Sequence, residues 1–351
     1  MKKRSMFWDN YKGILMVLVV FGHFIHSYAG KVDNSLAEKM YNFIYTFHMP
    51  AFVFCSGYFS KSERSRSTES LIKLVMYYLA FNTVMMVFAK FYLGSSIKVL
   101  TPYYSFWYLL SLIAWRAVIG KIDNMKGMVI LAAGVTLAMG FCNEFTNVLS
   151  IRRTVGFFVF FAAGYVMDRS KFDAFLERRK PVHIAVSAIV VAAAAVAAWW
   201  AVKEYGITSS MTMMGAYRKA SQIWLRVLLL AIASAAIGGL LLIVPNCKIP
   251  LVSQVGRNSL LVYLGHRFLT LVYYTDFFPW KNYSRMYLVY AVIATVVTCV
   301  VLSNEKLNVA VTKFFDGLTA SLTDRESRWG GVLKSVMMVI FIVVLAANYF
   351  E

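Results

Sequence analysis

Charge is scarce in this chain of 351 residues, and acidic charge scarcer still: 15% of residues are charged, 17 acidic against 36 basic. Soluble globular chains carry about 25% charged residues, so an ordinary soluble domain is excluded. Only 6 prolines and 20 glycines are present, too few for a collagenous or low-complexity chain. The four cysteines, Cys55, Cys142, Cys247 and Cys299, lie scattered among apolar stretches. They have no metal-like spacing and argue against a disulfide framework. No cleavable signal peptide is evident, since the apolar run from Gly13 is long and lacks a small-residue cleavage site. What is abundant is apolar surface: 60% of residues are hydrophobic and 16% aromatic, which also excludes disorder. This is the composition of an integral membrane protein. A net charge of +19 would point a soluble protein toward nucleic acid. In a membrane protein the basic bias of cytoplasmic loops accounts for it, and no nucleic-acid partner is expected.

A membrane-spanning helix needs roughly 17–25 mostly apolar residues. Eleven stretches qualify, near 13–30, 41–59, 71–93, 103–120, 126–143, 151–168, 181–202, 222–244, 256–276, 285–302 and 331–349. The expected fold is an all-α, polytopic transmembrane bundle of 10–11 spans with no large soluble domain. Residues 303–330 read as an interfacial segment. Lysine and arginine cluster at the start (Lys2, Lys3, Arg4) and after even-numbered spans, which makes the N-terminus cytoplasmic. With eleven spans the C-terminus is outside; with ten it is inside.

Ionisable groups within spans are costly, so each is a candidate for function. Lys12 and His23 stand eleven residues apart in the first span. That is three helical turns plus about 20°, so both share one face, with His23 ~16 Å deeper. Asp9 is either an N-cap or a partner for Lys12. A snorkelling lysine and a histidine bonded to a neighbouring helix are the structural alternative. His48, in the second span, and His266, in the ninth, reach similar depth, so the three histidines are candidates to converge on one polar cavity. Pro50 removes a backbone donor nearby, and irregular backbone at depth is tolerated where it lines a cavity. His26 and His183 read as interface residues. Trp107 and the Arg152-Arg153 pair lie near outer ends, where an aromatic belt and headgroup-binding arginines compete with a functional reading. Arg226 and Arg267 fall inside spans without a motif.

The Lys12-to-His23 spacing, Phe47-His48-Met49-Pro50-Ala51-Phe52-Val53-Phe54-Cys55-Ser56-Gly57-Tyr58-Phe59, Phe106-Trp107-Tyr108-Leu109, the Arg153-to-Tyr165 stretch and the Asn258-to-His266 stretch occur in that order. Together they resemble the membrane-bound acyltransferase-3 family, particularly its fucose 4-O-acetylase-like branch, over residues 7–302. There are departures. The family's first-span basic residue is commonly arginine, and here it is Lys12; the paired arginines after the second span are replaced by Arg64, Arg66 and Lys73 at other spacings. Members usually have ten spans, so 331–349 is an addition, and a fused extracytoplasmic esterase-like domain carried by some members is lacking.

The resemblance implies an acyltransferase-like transmembrane domain over 1–302, followed by an interfacial segment and an extra helix over 303–351. It implies transfer of an acyl group, most often acetyl from acetyl-CoA, to a sugar hydroxyl of a surface polysaccharide. The setting would be a bacterial cytoplasmic membrane, with no metal, and with a homo-oligomer or glycan-assembly protein as further partner. A histidine is a natural base for a sugar hydroxyl, which makes His23 the first catalytic candidate. His48 and His266 follow, and with Arg153 they are candidate oxyanion donors by location. Lys12, Arg64, Arg66 and Lys73 are candidates for the CoA phosphates, and Arg153 and Trp107 for the acceptor. A transporter or flippase for a lipid-linked glycan, and a non-catalytic partner of a glycan-assembly complex, are the rival classes. The orientation is tested by single introduced cysteines in intact cells: an impermeant reagent should label position 35 and spare position 65, and the reverse would overturn the assignment of sides.

Overall fold

The computed structural model describes residues 5–29, 36–96, 100–122, 124–142, 148–205, 216–217, 219–274 and 286–323. Among them are fourteen α-helices and no strand. These are α1 (Met6–Ala29), α2 (Leu36–Phe59), α3 (Glu63–Arg66), α4 (Thr68–Leu93), α5 (Trp107–Ile119), α6 (Met125–Ala138) and α7 (Ile151–Val166). There follow α8 (Arg169–Glu177), α9 (Pro181–Tyr205), α10 (Ile223–Ile243), α11 (Pro250–Arg257), α12 (Ser259–Tyr274), α13 (Tyr287–Leu302) and α14 (Glu305–Thr323). Ten of the eleven expected stretches coincide with helices, and 331–349 lies outside the described residues. Four helical segments, Thr68–Leu93, Val148–Val166, Pro181–Tyr205 and Ala220–Ile243, are each long and apolar enough to cross a membrane. The protein is a multi-pass membrane bundle.

Polarity decides which helices sit inside. The first two long helices carry Asp9, Asn10, Lys12, His23, Asn42 and His48, and both are enclosed by others. Helix α1 packs on α2, α11, α12 and α13, while α2 packs on α1, α7, α9 and α10. Enclosure is what permits polar groups at membrane depth, because the alternative neighbour is hydrocarbon. The peripheral α9 is the opposite case, apolar around its circumference, with Ile189 69% and Val196 62% exposed. The sequence thus sorts its helices into a polar centre and an apolar jacket.

Close approaches hold the centre together. Asn10 is fully buried. Its amide donates to the carbonyls of Pro245 (2.9 Å) and Cys247 (2.7 Å), and its oxygen accepts from the Ser253 hydroxyl at 2.6 Å. That satisfies the side chain and clamps the strand of chain before α11 onto α1. At the α2–α7 crossing a Cβ on Gly57 would strike the Phe161 carbonyl oxygen, and one on Gly164 would strike that of Phe54. Two glycines therefore bring the backbones into contact, as small residues do between membrane helices.

Helix α2 runs unbroken through Pro50. The irregular backbone expected there does not occur; the helix continues although proline removes one helical bond and its ring crowds the carbonyl of Thr46 one turn back. At the far end of α7 the exposed Asp168 caps α8, accepting from the Ser170 hydroxyl and from the backbone N–H groups of Ser170 and Lys171. The Ser170 hydroxyl, then these backbone bonds, hold its carboxyl below the usual carboxylate range. Helix α14 turns 55° away from α13 and lies against α4. There Phe315 stacks on Tyr77 with ring centroids 4.1 Å apart, and Lys73 pairs with Asp316.

Gly57→Ala should lower the unfolding midpoint of the detergent-solubilised protein, at a cost of about 1–3 kcal/mol for overpacking. Gly238→Ala, where a Cβ meets nothing within 4 Å, should not. Equal midpoints would mean that the α2–α7 contact is not limiting.

Candidate functional site

Two cavities share one wall in the centre of the bundle. The first, about 320 Å³, is lined by His23 and His26 of α1, Tyr41, Tyr45 and His48 of α2, Tyr104 and Ser105 of the turn before α5, Trp107, Arg153 and Phe157, and Tyr263 and Arg267 of α12. The second, about 270 Å³, is lined by Lys12, Cys55, Ser56, Tyr108, Arg116, Ser259 and Tyr263 among others. Tyr263 belongs to both. These are called here the histidine cavity and the lysine cavity.

In the histidine cavity Nδ1 of His23 lies 3.1 Å from the Tyr45 hydroxyl. That bond fixes the ring and leaves the other ring nitrogen for a ligand. Behind it the His266 ring stacks on His23, centroids 5.2 Å apart and planes 26° apart. His266 is fully buried, donates from Nδ1 to the Val262 carbonyl at 3.1 Å, and among the described residues has no hydrogen-bond partner for Nε2. His48 donates from Nδ1 to the Ile44 carbonyl at 2.6 Å, one turn back, which leaves its Nε2 as the acceptor. Three imidazoles on three helices are thus brought together, two of them with the backbone setting the tautomer.

Aromatic rings make the rest of the wall. Trp107 stacks on Phe157 at 5.1 Å, and the Arg153 guanidinium lies 5.1 Å from the Trp107 ring centroid. The Arg267 guanidinium lies 4.1 Å from the Tyr104 ring. Tyr104 holds that position with φ at +44°, a left-handed conformation rare for a bulky residue. Its neighbour Tyr103 is fixed by a backbone bond to the Asn82 side chain at 2.8 Å. Strain of this kind persists only where the surroundings enforce it, and it collects at functional sites.

The lysine cavity has a different character. Lys12 pairs with Asp9 at 3.6 Å and lies 5.3 Å from the Phe59 ring, so Asp9 is its partner and not a helix cap. Arg116 donates to the Ser60 hydroxyl at 3.0 Å, and Ser60 donates in turn to the Ser56 carbonyl at 2.7 Å. The Ser56 hydroxyl donates to the Phe52 carbonyl at 2.8 Å, so the Tyr108 hydroxyl, 2.5 Å away, is the donor to Ser56. At the shared wall the Tyr263 hydroxyl donates to the Ser105 carbonyl at 2.6 Å, and the Tyr263 ring lies 5.3 Å from that of Tyr108.

A family model described as an acyltransferase domain, that of the acyltransferase-3 family, matches residues 7–304. The chain belongs to the acyltransferase-3 family. No curated protein and no solved structure matches it. Membership makes this a membrane acyltransferase, of a family that draws on acyl-CoA-like donors in general.

In this acyltransferase His23, His48, Arg153 and Trp107 line the histidine cavity, and Lys12 lines the lysine cavity. His266 supports His23 from behind and does not line the cavity itself. Arg64, Arg66 and Lys73 line neither. Arg64 is exposed, Arg66 lies over the Tyr165 ring at 5.9 Å, and Lys73 is tied to Asp316. His26, expected at the interface, is exposed yet joins the cavity wall beside Tyr41, ring centroids 5.1 Å apart. The sequence did not single out Tyr45, Tyr104, Arg116 or Tyr263, and it marked Arg267 only as a charge inside a span without a motif. The one usable signal was Arg116 within the fourth apolar stretch and Arg267 within the ninth, since charge inside a span asks for a reason.

Tyr263→Phe removes the buried bond to the Ser105 carbonyl, which keeps only the Trp107 N–H, and should cost about 0.5–1.5 kcal/mol. A lowered unfolding midpoint of the purified protein checks this; an unchanged one would mean that the bond is replaced by water.

Proposed function

We propose that the protein is an O-acyltransferase that moves an acyl group, acetyl being the simplest case, from cytoplasmic acyl-CoA to a sugar hydroxyl of a cell-surface or exported polysaccharide, in the manner of the fucose 4-O-acetylase-like branch. The observation that carries the reading is the arrangement of α1, which offers Lys12 to one cavity and His23 to another across a shared Tyr263 wall. With the N-terminus cytoplasmic, the lysine cavity faces the donor and the histidine cavity the acceptor. Lys12 and Arg116 receive the donor's anionic end, while Arg64 and Arg66 add positive charge at the same end of the bundle, where Arg66 packs against Gly120 just beyond Arg116. Lys73, held by Asp316, contributes field more than contact.

In the reaction the ring nitrogen of His23 not engaged by Tyr45 takes the proton of the acceptor hydroxyl. The hydroxyl oxygen bonds to the thioester carbonyl carbon, the carbon–sulfur bond then breaks, and the departing thiolate is protonated from the imidazolium. Arg153 offers hydrogen-bond donors and charge for the oxyanion formed between these events, while His48, its Nδ1–H given to the Ile44 carbonyl, presents an acceptor to a hydroxyl of the sugar. His266 is a positioning residue, stacking behind His23. Trp107 and the tyrosines present flat faces to the apolar side of a sugar ring.

The test is acyl transfer from labelled acetyl-CoA by the full chain in lipid nanodiscs. His23→Ala should lower the rate by about 10²–10⁴-fold, the usual contribution of a positioned base. His23→Gln, which keeps polarity but cannot take the proton, should fall as far with donor binding retained. A glutamine variant working near the wild-type rate would reject His23 as the base.

A further inference from the structure

The histidine cavity has an imbalance that general acyl transfer does not require. Two guanidiniums, Arg153 and Arg267, and three imidazoles line it, and among the described residues no aspartate or glutamate does. Arg267 is the more telling of the two. It is 4% exposed, and among the described residues its Nε has no hydrogen-bond partner and its guanidinium meets no carboxylate, only the Tyr104 ring. It lies on α12 directly after His266 and within electrostatic range of both His23 and His26. A buried cation in a bundle at membrane depth is costly unless an anion meets it. Elsewhere the chain supplies the partner itself: the ammonium of Lys12 is met by Asp9, and the guanidinium of the buried Arg226 by the Thr136 carbonyl.

We propose that the anion for Arg267 arrives with the acceptor: the sugar that is acylated carries a negative group, a carboxylate or a phosphoryl, on the same residue or the adjoining one. The inference rests on the reading of the histidine cavity as the acceptor site. A planar guanidinium donates in parallel to two oxygens of either anion, which neutral hydroxyls match poorly. The ring of Tyr104, strained into place, restricts Arg267 on one face and directs its donors along the guanidinium plane. Because Arg267 neighbours His23, an anion seated there would hold its own sugar ring beside the base. A cavity of about 320 Å³ has the volume of a small-ligand pocket, so anion, ring and reacting hydroxyl fall within one enclosure.

The experiment uses the full chain in nanodiscs and three probes of one sugar: methyl glucoside, methyl glucuronide and glucose 6-phosphate. Binding is read by ligand-observed NMR at matched concentration, and acetyl transfer to each is read separately with labelled acetyl-CoA. At least one anionic probe should bind about tenfold tighter than the neutral one, the scale of a charged hydrogen bond. Preference for the glucuronide over the phosphate assigns a sugar carboxylate, and the reverse assigns a phosphoryl; either supports the proposal. Arg267→Gln should collapse the anionic-to-neutral ratio toward one, and Arg267→Lys should restore part of it. Should Arg267→Gln fail to fold, the wild-type ratio alone decides. Equal binding of neutral and anionic probes by the wild-type protein overturns the proposal even if acetyl transfer is found. Anionic preference without any acetyl transfer would leave this site standing and reject the transfer reading.

Discussion

Imidazole, guanidinium and ammonium groups at membrane depth must be surrounded by protein, and the architecture follows from that requirement. Lipid offers no partner for them, so the helices that carry them, α1 and α2, occupy the middle and are wrapped by α7, α9, α10, α11, α12 and α13. Wrapping in turn demands close packing. Gly57 and Gly164 provide it on one side, and on the other Asn10 ties three backbone and side-chain groups to α1. The same requirement explains why polar side chains in the centre are bonded locally. His48 returns a bond to its own helix, Ser60 bridges Arg116 to α2, and Tyr108 caps Ser56. Each bond takes a group that lipid would reject and makes it part of the packing.

Most of the bundle was legible because apolar runs of spanning length have few other uses, and helix positions follow from them directly. The shared face of Lys12 and His23 was legible for a related reason: it depends only on helical period, which is fixed before any tertiary contact forms. What lay between helices was not. Tyr45 reaches His23 from twenty-two residues away, Tyr263 reaches the Ser105 carbonyl from 158, and Asp316 reaches Lys73 from 243. No local pattern encodes such pairs. The individual settings of the basic residues Arg64, Arg66 and Lys73 were equally hidden, since charge count and position group them while in the fold Arg64 is exposed, Arg66 lies over the Tyr165 ring and Lys73 pairs with Asp316. Pro50 misled for a physical reason too: a helix fixed on both sides by neighbours tolerates one lost bond without breaking.

The division of the polar centre into two cavities bears on chemistry as well as packing. A single open channel through the bundle would admit water to a thioester and would offer ions a route across the membrane. Tyr263 stands against both, its hydroxyl held by the Ser105 carbonyl and its ring beside Tyr108, which is itself anchored on Ser56. Anchoring at both rings makes the wall a defined structure and not loose packing. On the proposed reaction only the acyl end of the donor need pass this wall, because its charged portion is met at Lys12 and Arg116 on the near side. In the same scheme the sugar, with its anion on Arg267, would stay on the far side. In that scheme the protein would never have to move a charged substrate group across its own centre. Only the least polar fragment of either substrate meets the aromatic wall, and that is the fragment whose transfer a membrane-embedded site can accomplish at the smallest cost in desolvation.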